Sequence, residues 1–315
     1  MNYISSEQIG SALSISDCID VMEDLYLKEA GHLADQPPRT LTRIDKDSLI
    51  LTMPCYSSSI GRFGVKIVSE YRNNPKYSHP VQGGLIVLID GNNSKILCLL
   101  DSTQITAIRT GAIGGLGAKL LSRKDSKNVA VIGSGLQART QLEAVSAVRD
   151  VRSAKVYSPN LGHSTLFAKE MSASLGIPVR AFEERSDATK GADIIILATN
   201  SSTPVLTWRE VVPGCHIHSI GTLPDRREAD EDTVCNSLLF ADLRQGVLSE
   251  AGDVMAAIRS GRISESHIRG DLSELLQKPE IGRKDSTQVT MLKSVGFALQ
   301  DLYASSFVYD KKSNH

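Results

Sequence analysis

Three basic residues stand where chemistry would need them. Arg39 follows Pro37-Pro38, Lys66 sits inside the apolar run Phe63-Gly-Val-Lys-Ile-Val-Ser69, and Arg109 lies in Ile108-Arg-Thr-Gly-Ala112. A guanidinium offers a planar, two-pronged donor edge that matches a carboxylate, so Arg39 and Arg109 are candidates for holding the acid group of a substrate. Lys66, between Val65 and Ile67, can face either way. Turned inward it loses water, its pKa falls and it becomes useful for proton transfer; turned outward it is a solvated strand lysine. The pattern leaves both open. A second kind of chemistry is written at Val129-Ala-Val-Ile-Gly-Ser-Gly-Leu-Gln-Ala138. An apolar strand, a Gly-x-Gly turn and a helix-forming stretch give the G-x-G-x-x-A form of a dinucleotide fingerprint. Gly133 permits the tight turn, Gly135 keeps a Cβ away from a pyrophosphate, and Ala138 lets helix and strand approach. The helix N-terminus adds unpaired N–H groups and the positive end of a dipole.

The elements that must position these groups fall into two sets. A chain of 315 residues can bury a sizeable core and is long enough for two domains. From the fingerprint onward, strands at 129–132, 154–157, 179–182, 194–199, 216–221 and 238–242 alternate with helices, as at 165–175 and 186–190. Such alternation predicts an α/β Rossmann domain with a doubly wound parallel sheet. Before it come a helix over 6–30 with Ser14 as a possible cap, a hairpin over 39–53, a strand at 63–69 and a hairpin of 85–90 with 96–100. That set predicts an α+β domain with mainly antiparallel pairing and not a second nucleotide domain. A helix over 101–121 carries Gly111, Gly114, Gly115 and Gly117, each costing roughly 1 kcal/mol against Ala. Close packing of a neighbouring element is the expected reason. Further helices are expected at 251–259 and 272–276, with a last amphipathic one over 289–304 returning to the first domain. The expected boundaries are 1–120 plus 288–315 for that domain and 121–287 for the Rossmann domain.

Charge and cysteines exclude other classes. A formal net charge of −1 and a pI near 6.7 argue against nucleic acid or an anionic membrane as partner. The first residues lack the basic and apolar regions of a secretory signal, and no apolar run is long enough to span a bilayer. Five scattered cysteines without ligand spacing predict reduced thiols, a cytoplasmic protein and no metal. In a Rossmann sheet the cofactor is held by loops at the carboxyl ends of the strands, which points to Thr199-Asn-Ser-Ser-Thr-Pro204 and Gly221-Thr-Leu-Pro224. The second strand ends in Tyr157-Ser-Pro-Asn160, without the acidic residue that would bind a ribose 2′-hydroxyl. No Arg adjoins the turn in sequence to hold a 2′-phosphate. NAD and NADP are both open.

The sequence resembles the ornithine cyclodeaminase/mu-crystallin family, which includes archaeal-type alanine dehydrogenases and ketimine reductases. The resemblance is carried by Pro38-Arg39, Met53-Pro54, Gly64-Val-Lys66-Ile-Val, Asp101-Ser-Thr-Gln-Ile-Thr-Ala-Ile-Arg109-Thr-Gly-Ala, Ile132-Gly-Ser-Gly-Leu-Gln137-Ala, Ala198-Thr-Asn, Lys293-Ser-Val-Gly and Gln300-Asp301. It implies a two-domain homodimer with an α+β substrate-binding and dimerisation domain, in which Arg39 and Arg109 bind the carboxylate of an amino or imino acid and Lys66 serves as proton donor or polarising group. The cofactor contacts expected on this reading are Thr110, Gly133, Ser134, Gly135, Leu136, Gln137, Ser158, Asn160, Thr199, Asn200 and Gly221. Family cyclodeaminases carry an Asp two residues before the proline of a Gly-x-Asp-x-Pro segment. Here Thr222 stands at that place, next to the substrate, and a neutral Thr cannot pair with a second amine. The expected function is therefore NAD(P)H-dependent reduction of the imine of a small 2-oxo/2-imino acid, or the reverse oxidative deamination. Ornithine cyclodeamination and non-catalytic binding of NADP or a small ligand are the alternatives. Side-chain specificity is expected from residues 56–62, 71–79 and 222–227.

Overall fold

The computed structural model describes residues 2–30, 35–71, 73–77 and 80–313. Within the expected specificity stretch 71–79, residues 72, 78 and 79 therefore lie outside the described residues. The chain forms two compact units, residues 1–109 with 297–315, and residues 110–296.

The first unit opens with β1 (Tyr3–Ile4), α1 (Ser6–Ala12) and α2 (Ile15–Lys28). The expected single helix over 6–30 is broken because Ser14 leaves helical geometry, at φ −73° and ψ 161°, to accept a hydrogen bond from Asp17 N at 3.1 Å. Then come β2 (Thr40–Arg43), β3 (Ser48–Ser57), β4 (Arg62–Tyr71), β5 (Gln82–Asp90), β6 (Ile96–Asp101) and α3 (Ser102–Leu121). The sheet order is β1-β6-β5-β4-β3-β2, antiparallel except for β1 on β6. Met53, Lys66 and Ile86 are cross-strand partners and so share one face. All three are buried, which turns Lys66 inward.

The second unit contains β7 (Asn128–Ile132), α4 (Leu136–Val148), β8 (Ser153–Tyr157), α5 (Leu161–Leu175), β9 (Val179–Phe182), α6 (Arg185–Thr189), β10 (Ile194–Leu197) and β11 (His216–Ser219). It continues through α7 (Glu231–Asn236), β12 (Leu238–Ala241), α8 (Arg244–Glu250), α9 (Gly252–Arg259), β13 (Ile268–Asp271), α10 (Leu272–Gln277) and β14 (Thr290–Lys293). Eight strands pair in parallel, in the order β13-β12-β14-β11-β10-β7-β8-β9. Two apolar cores pack against this sheet, one around Ile195, Ile217 and Met291, the other around Val131, Phe167 and Ile196.

The helix expected over 289–304 is corrected in its first half. Thr290 to Lys293 form a strand paired with both β11 and β12, every side chain buried. A strand covered on both faces has no two-residue polar alternation, so its composition looks like that of a buried helix turn. The chain then bends at Gly296, φ 71°, and Asp242 takes the amides of Val295 and Gly296 at 3.1 and 2.7 Å. Because β14 belongs to this sheet, the unit ends after Gly296 and not at 287. Its other boundary falls inside α3, where a Cβ at Gly114 would collide with Gln141 Oε1 and come within 2.6 Å of His218 Nδ1. Packing accounts for glycine there.

The closing helix α11 (Ala298–Ser313) returns to the first unit and lies on β3, β4 and α2. A Cβ at Gly64 would stand 3.0 Å from Leu302 Cδ1, so the missing side chain lets α11 seat closely on β4. Among the described residues no helix is long and apolar enough to cross a membrane.

Candidate functional site

In the first unit the structure brings two of the predicted residues together on a carboxylate that the sequence reading gave no role. Lys66 Nζ donates to both oxygens of Asp301 at 3.1 and 3.2 Å, and Arg109 Nε donates to Asp301 Oδ1 at 3.0 Å. Lys66 is 4% exposed, Arg109 6% and Asp301 1%. Arg109 Nη1 donates to Gln300 Oε1 at 2.7 Å, and Gln300 Nε2 to the Tyr26 hydroxyl at 3.2 Å. Tyr26 in turn meets Phe297 edge to face at 5.9 Å. The guanidinium is thus fixed on one edge, and its Nη2 has no hydrogen-bond partner among the described residues. Two cations on one buried carboxylate leave a local excess of positive charge, suited to a substrate anion.

The electrostatics follow from that crowding. Burial pushes the Lys66 ammonium down to about 8, against the pull of Asp301 and with Arg109 and Arg39 adding to the fall. Burial alone would raise the Asp301 carboxyl. The charges and hydrogen bonds of Arg109 and Lys66 outweigh it and hold that carboxyl below the usual carboxylate range. Arg39 is half-buried just before β2, close enough for its charge to act on Lys66. A lysine titrating near 8 keeps its proton at neutral pH and gives it up readily, as a general acid must.

The second unit holds the residues that the sequence reading assigns to a dinucleotide. Gly133, φ 113°, turns the chain out of β7, and its amide donates to Tyr157 O at 2.9 Å, tying the fingerprint to the end of β8. Gly135 is the N-cap of α4 and supplies no side-chain cap, so the first amides of α4 face whatever binds the turn. A Cβ on Gly135 would meet only open space, and the buried Gln137 Oε1 has no partner among the described residues. Open amides, open space and an orphaned acceptor fit the pyrophosphate end of a dinucleotide. Ser134 is half-buried in that turn and Leu136 exposed beside it, while the Thr110 carbonyl is engaged by Gln141 Nε2 at 2.8 Å. Ser158 is half-buried after β8, and Asn160 caps α5 by accepting from His163 N at 3.1 Å. Thr199 and Gly221 meet on one carboxylate, that of Glu228, and Asn200 Oδ1 accepts from Arg226 Nη1 at 3.1 Å. Thr222 is half-buried and donates to Ile220 O at 3.1 Å, with Leu223 at φ 95° beyond it.

Sequence reasoning missed three residues here. Asp301 stood in a quoted motif without a function; a lone Asp among apolar neighbours was the available signal. Glu228 follows Asp225-Arg-Arg and reads as surface charge. The third is Arg139, beside the fingerprint turn. One helical turn along α4, it folds back to donate to Ser134 O and, at 3.2 Å, to Gly135 O, while Glu170 takes its Nε and Nη2 at 3.0 and 2.6 Å. No group of three or more His, Cys, Asp or Glu side chains among the described residues is placed to hold a metal ion.

A parallel nucleotide-binding sheet combined with a buried lysine and arginine on a shared carboxylate makes this chain a dinucleotide-dependent oxidoreductase. It belongs to the ornithine cyclodeaminase/mu-crystallin family, whose sequence model matches residues 2–315. It is similar to the Thermococcus litoralis Δ1-pyrroline-2-carboxylate reductase solved in complex with NADH and L-proline, with 38% identity and a TM-score of 0.96 over 100% of this chain and 98% of that one. A Δ1-pyrroline-2-carboxylate reductase of Bacillus cereus is 30% identical over 99% of this chain and 96% of its own. An archaeal alanine dehydrogenase dimer with bound NAD shares 26% identity at a TM-score of 0.93, covering 100% of this chain and 96% of that one.

Proposed function

We propose that the protein is an NAD(P)H-dependent reductase of a small cyclic 2-imino acid of the Δ1-pyrroline-2-carboxylate type, giving the corresponding amino acid. The observation that carries this reading is the buried cluster of Lys66, Asp301 and Arg109. It joins one proton donor titrating near 8 to cationic groups suited to a carboxylate. Arg109, with Arg39, holds the substrate carboxylate and so fixes the adjacent imine carbon. Gly133, Gly135 and the amides of α4 would hold the dinucleotide, which would supply the hydride for the imine carbon. Lys66 donates its proton to the imine nitrogen, and Asp301 keeps the ammonium in place for the transfer. Carbon gains the hydride and nitrogen the proton, so C=N becomes CH–NH. Thr222 adds no charge for a second amine, which favours imine reduction over ornithine cyclodeamination. The 38% identical relative was solved in complex with NADH.

The reading includes a homodimer in the cytoplasm. The outer face of the first unit's sheet carries Val65, Ile67, Leu85, Val87 and Leu99 where an antiparallel sheet facing water would be polar, and Ile67 and Leu85 are 42% and 39% exposed. A second copy covering that face is in line with the dimeric alanine dehydrogenase. All five cysteines are free thiols, in keeping with a reducing compartment.

The test is a substrate scan that follows NADH and NADPH absorbance. Δ1-pyrroline-2-carboxylate is expected to consume cofactor, outpacing pyruvate with ammonia. L-Ornithine converted to proline and ammonia without net change in NADH would instead establish the cyclodeaminase. Cofactor binding with no turnover of any acid would make this a binding protein.

A further inference from the structure

Glu228 is 0% exposed although it ends the charged stretch Asp225-Arg-Arg-Glu228. Its Oε1 accepts from Thr199 N at 2.6 Å and Thr199 Oγ1 at 3.0 Å. Its Oε2 accepts from Ser219 Oγ at 2.8 Å, Ile220 N at 3.0 Å and Gly221 N at 2.7 Å. The donors come from two segments, the loop after β10 and the end of β11 with its following loop. The Glu228 carbonyl also accepts from Val205 N and Leu206 N at 2.8 and 3.0 Å, closing the 199–206 loop on itself. Gly221 yields its side chain to this clasp, since a Cβ would stand 2.8 Å from Glu228 Cγ.

Beneath the clasp, Lys293 Nζ donates to Ser219 Oγ at 2.7 Å and to Asp253 Oδ2 at 3.0 Å. Lys293 and Ser219 are 0% exposed and Asp253 1%. Two carboxylates and one ammonium are thus placed where water does not reach. Burying ions costs more than their attraction returns unless they are fully hydrogen-bonded, and apolar side chains of the same volume would serve stability as well. The geometry of the donors shows what the arrangement fixes instead. The fingerprint at β7 takes the pyrophosphate, and the residue that reads the adenosine ribose belongs at the end of β8. The nicotinamide half would therefore extend to the other side of β7, over the carboxyl ends of β10 and β11, where the clasped loops are.

We propose that Glu228 is a positioning residue for the nicotinamide half of the cofactor. Its carboxylate holds the two loops in their binding shape before the dinucleotide arrives, and Lys293 and Asp253 brace it through Ser219. Preorganised loops leave less ordering to be done on binding.

The inference rests on the dinucleotide reading of the second unit, and a pair of ligands separates the two. NADH and ADP-ribose, which lacks only the nicotinamide ring, are titrated calorimetrically into the full chain. If the wild-type protein binds neither, the cofactor reading fails and this inference with it. Glu228→Gln sets an amide NH2 against N–H donors, so NADH affinity is expected to fall at least about tenfold while ADP-ribose stays within about twofold. Equal loss of both ligands, or loss of neither, in a variant with the wild-type circular dichroism spectrum overturns the proposal. Ser219→Ala removes one donor and the link to Lys293, and decides the matter if Glu228→Gln does not fold. NADH should weaken about threefold with ADP-ribose unchanged; an equal effect on both, or none on NADH, sinks it.

Discussion

Replacing Asp301 by asparagine keeps the volume of the side chain and removes the negative charge on which Lys66 and Arg109 converge. In the intact cluster burial pushes Lys66 down and Asp301 pulls it back up, leaving it at about 8. An opposite charge at hydrogen-bond distance moves a buried group's pKa by about 1–3, so in Asp301→Asn Lys66 should titrate at roughly 5–7. Taking a midpoint of about 6, the protonated fraction at pH 7.5 drops from about three quarters to about 3%, roughly a 25-fold loss of the proton donor. At pH 5 most of Lys66 is protonated in both proteins, and only the looser seating of Arg109 separates them. The measurement is kcat/KM for imine reduction across pH 5–8.5, expressed as the ratio of wild type to variant so that titration of the substrate cancels. The ratio should rise steeply from pH 5 to 7.5, and the alkaline limb of the variant should lie about 1–3 pH units lower than in the wild type. A ratio that stays flat across this range, with both proteins folded, would refute Lys66 as the acid or Asp301 as the group that sets it.

Other consequences can be checked separately. Lys66→Met, which fills the same buried space without a proton, should lower kcat by about 10²–10⁴-fold with NADH binding unchanged; full turnover would remove Lys66 from the mechanism. Gly114→Ala forces a methyl group against Gln141 and His218 and should cost about 1–3 kcal/mol in urea denaturation; an unchanged midpoint would mean that this contact yields. Burial lowers His218 to about 3 and His216 well below its ordinary value, whereas both titrate near 6.5 in the unfolded chain. Below about pH 6.5 the unfolded state therefore binds protons that the folded state refuses, and stability falls with pH by about 1.4 kcal/mol per pH unit for each histidine. His218→Gln should halve that contribution, and an unaltered slope between pH 6.5 and 5 would show that these histidines are not held neutral. Glu170→Gln leaves Arg139 beside the turn without its counter-charge, so kcat/KM with NADPH relative to NADH should rise several-fold. No change in that ratio would place 2′-phosphate selection elsewhere.

The second unit was the more legible in sequence, because parallel strands are apolar throughout and each fingerprint glycine has a local reason. Val129–Ala138 declared its own turn, and the βα alternation declared the sheet. What misled was the same property carried further. Thr290–Lys293 lies between two other strands and has no polar face, so nothing local distinguished it from the helix that follows. In the first unit the alternation of β4 was present but ambiguous at Lys66, since whether a lysine is inside depends on a partner far along the chain. That partner is Asp301, 235 residues away. Glu228 was illegible for a related reason: its donors are mostly main-chain amides, which leave no trace in side-chain identity. Reading residue types recovered the fold and picked out Lys66 and Arg109; it could not recover the carboxylate they share.

That separation also bears on how the molecule is made. The first unit is written in two pieces with the whole of the second inserted between them, and its final piece, α11, brings Asp301. During synthesis from the N-terminus, β4 emerges with an inward lysine that has no carboxylate to meet until about 235 further residues have been added. The inserted sheet has a delay of its own, because β14 lies between β11 and β12 yet is the last of its strands to be made. Contacts this distant in sequence form slowly and leave apolar edges open meanwhile. Nascent chains stalled before residue 290 should therefore be protease-sensitive in both units, and the interval before α11 arrives is when the chain is most open to aggregation.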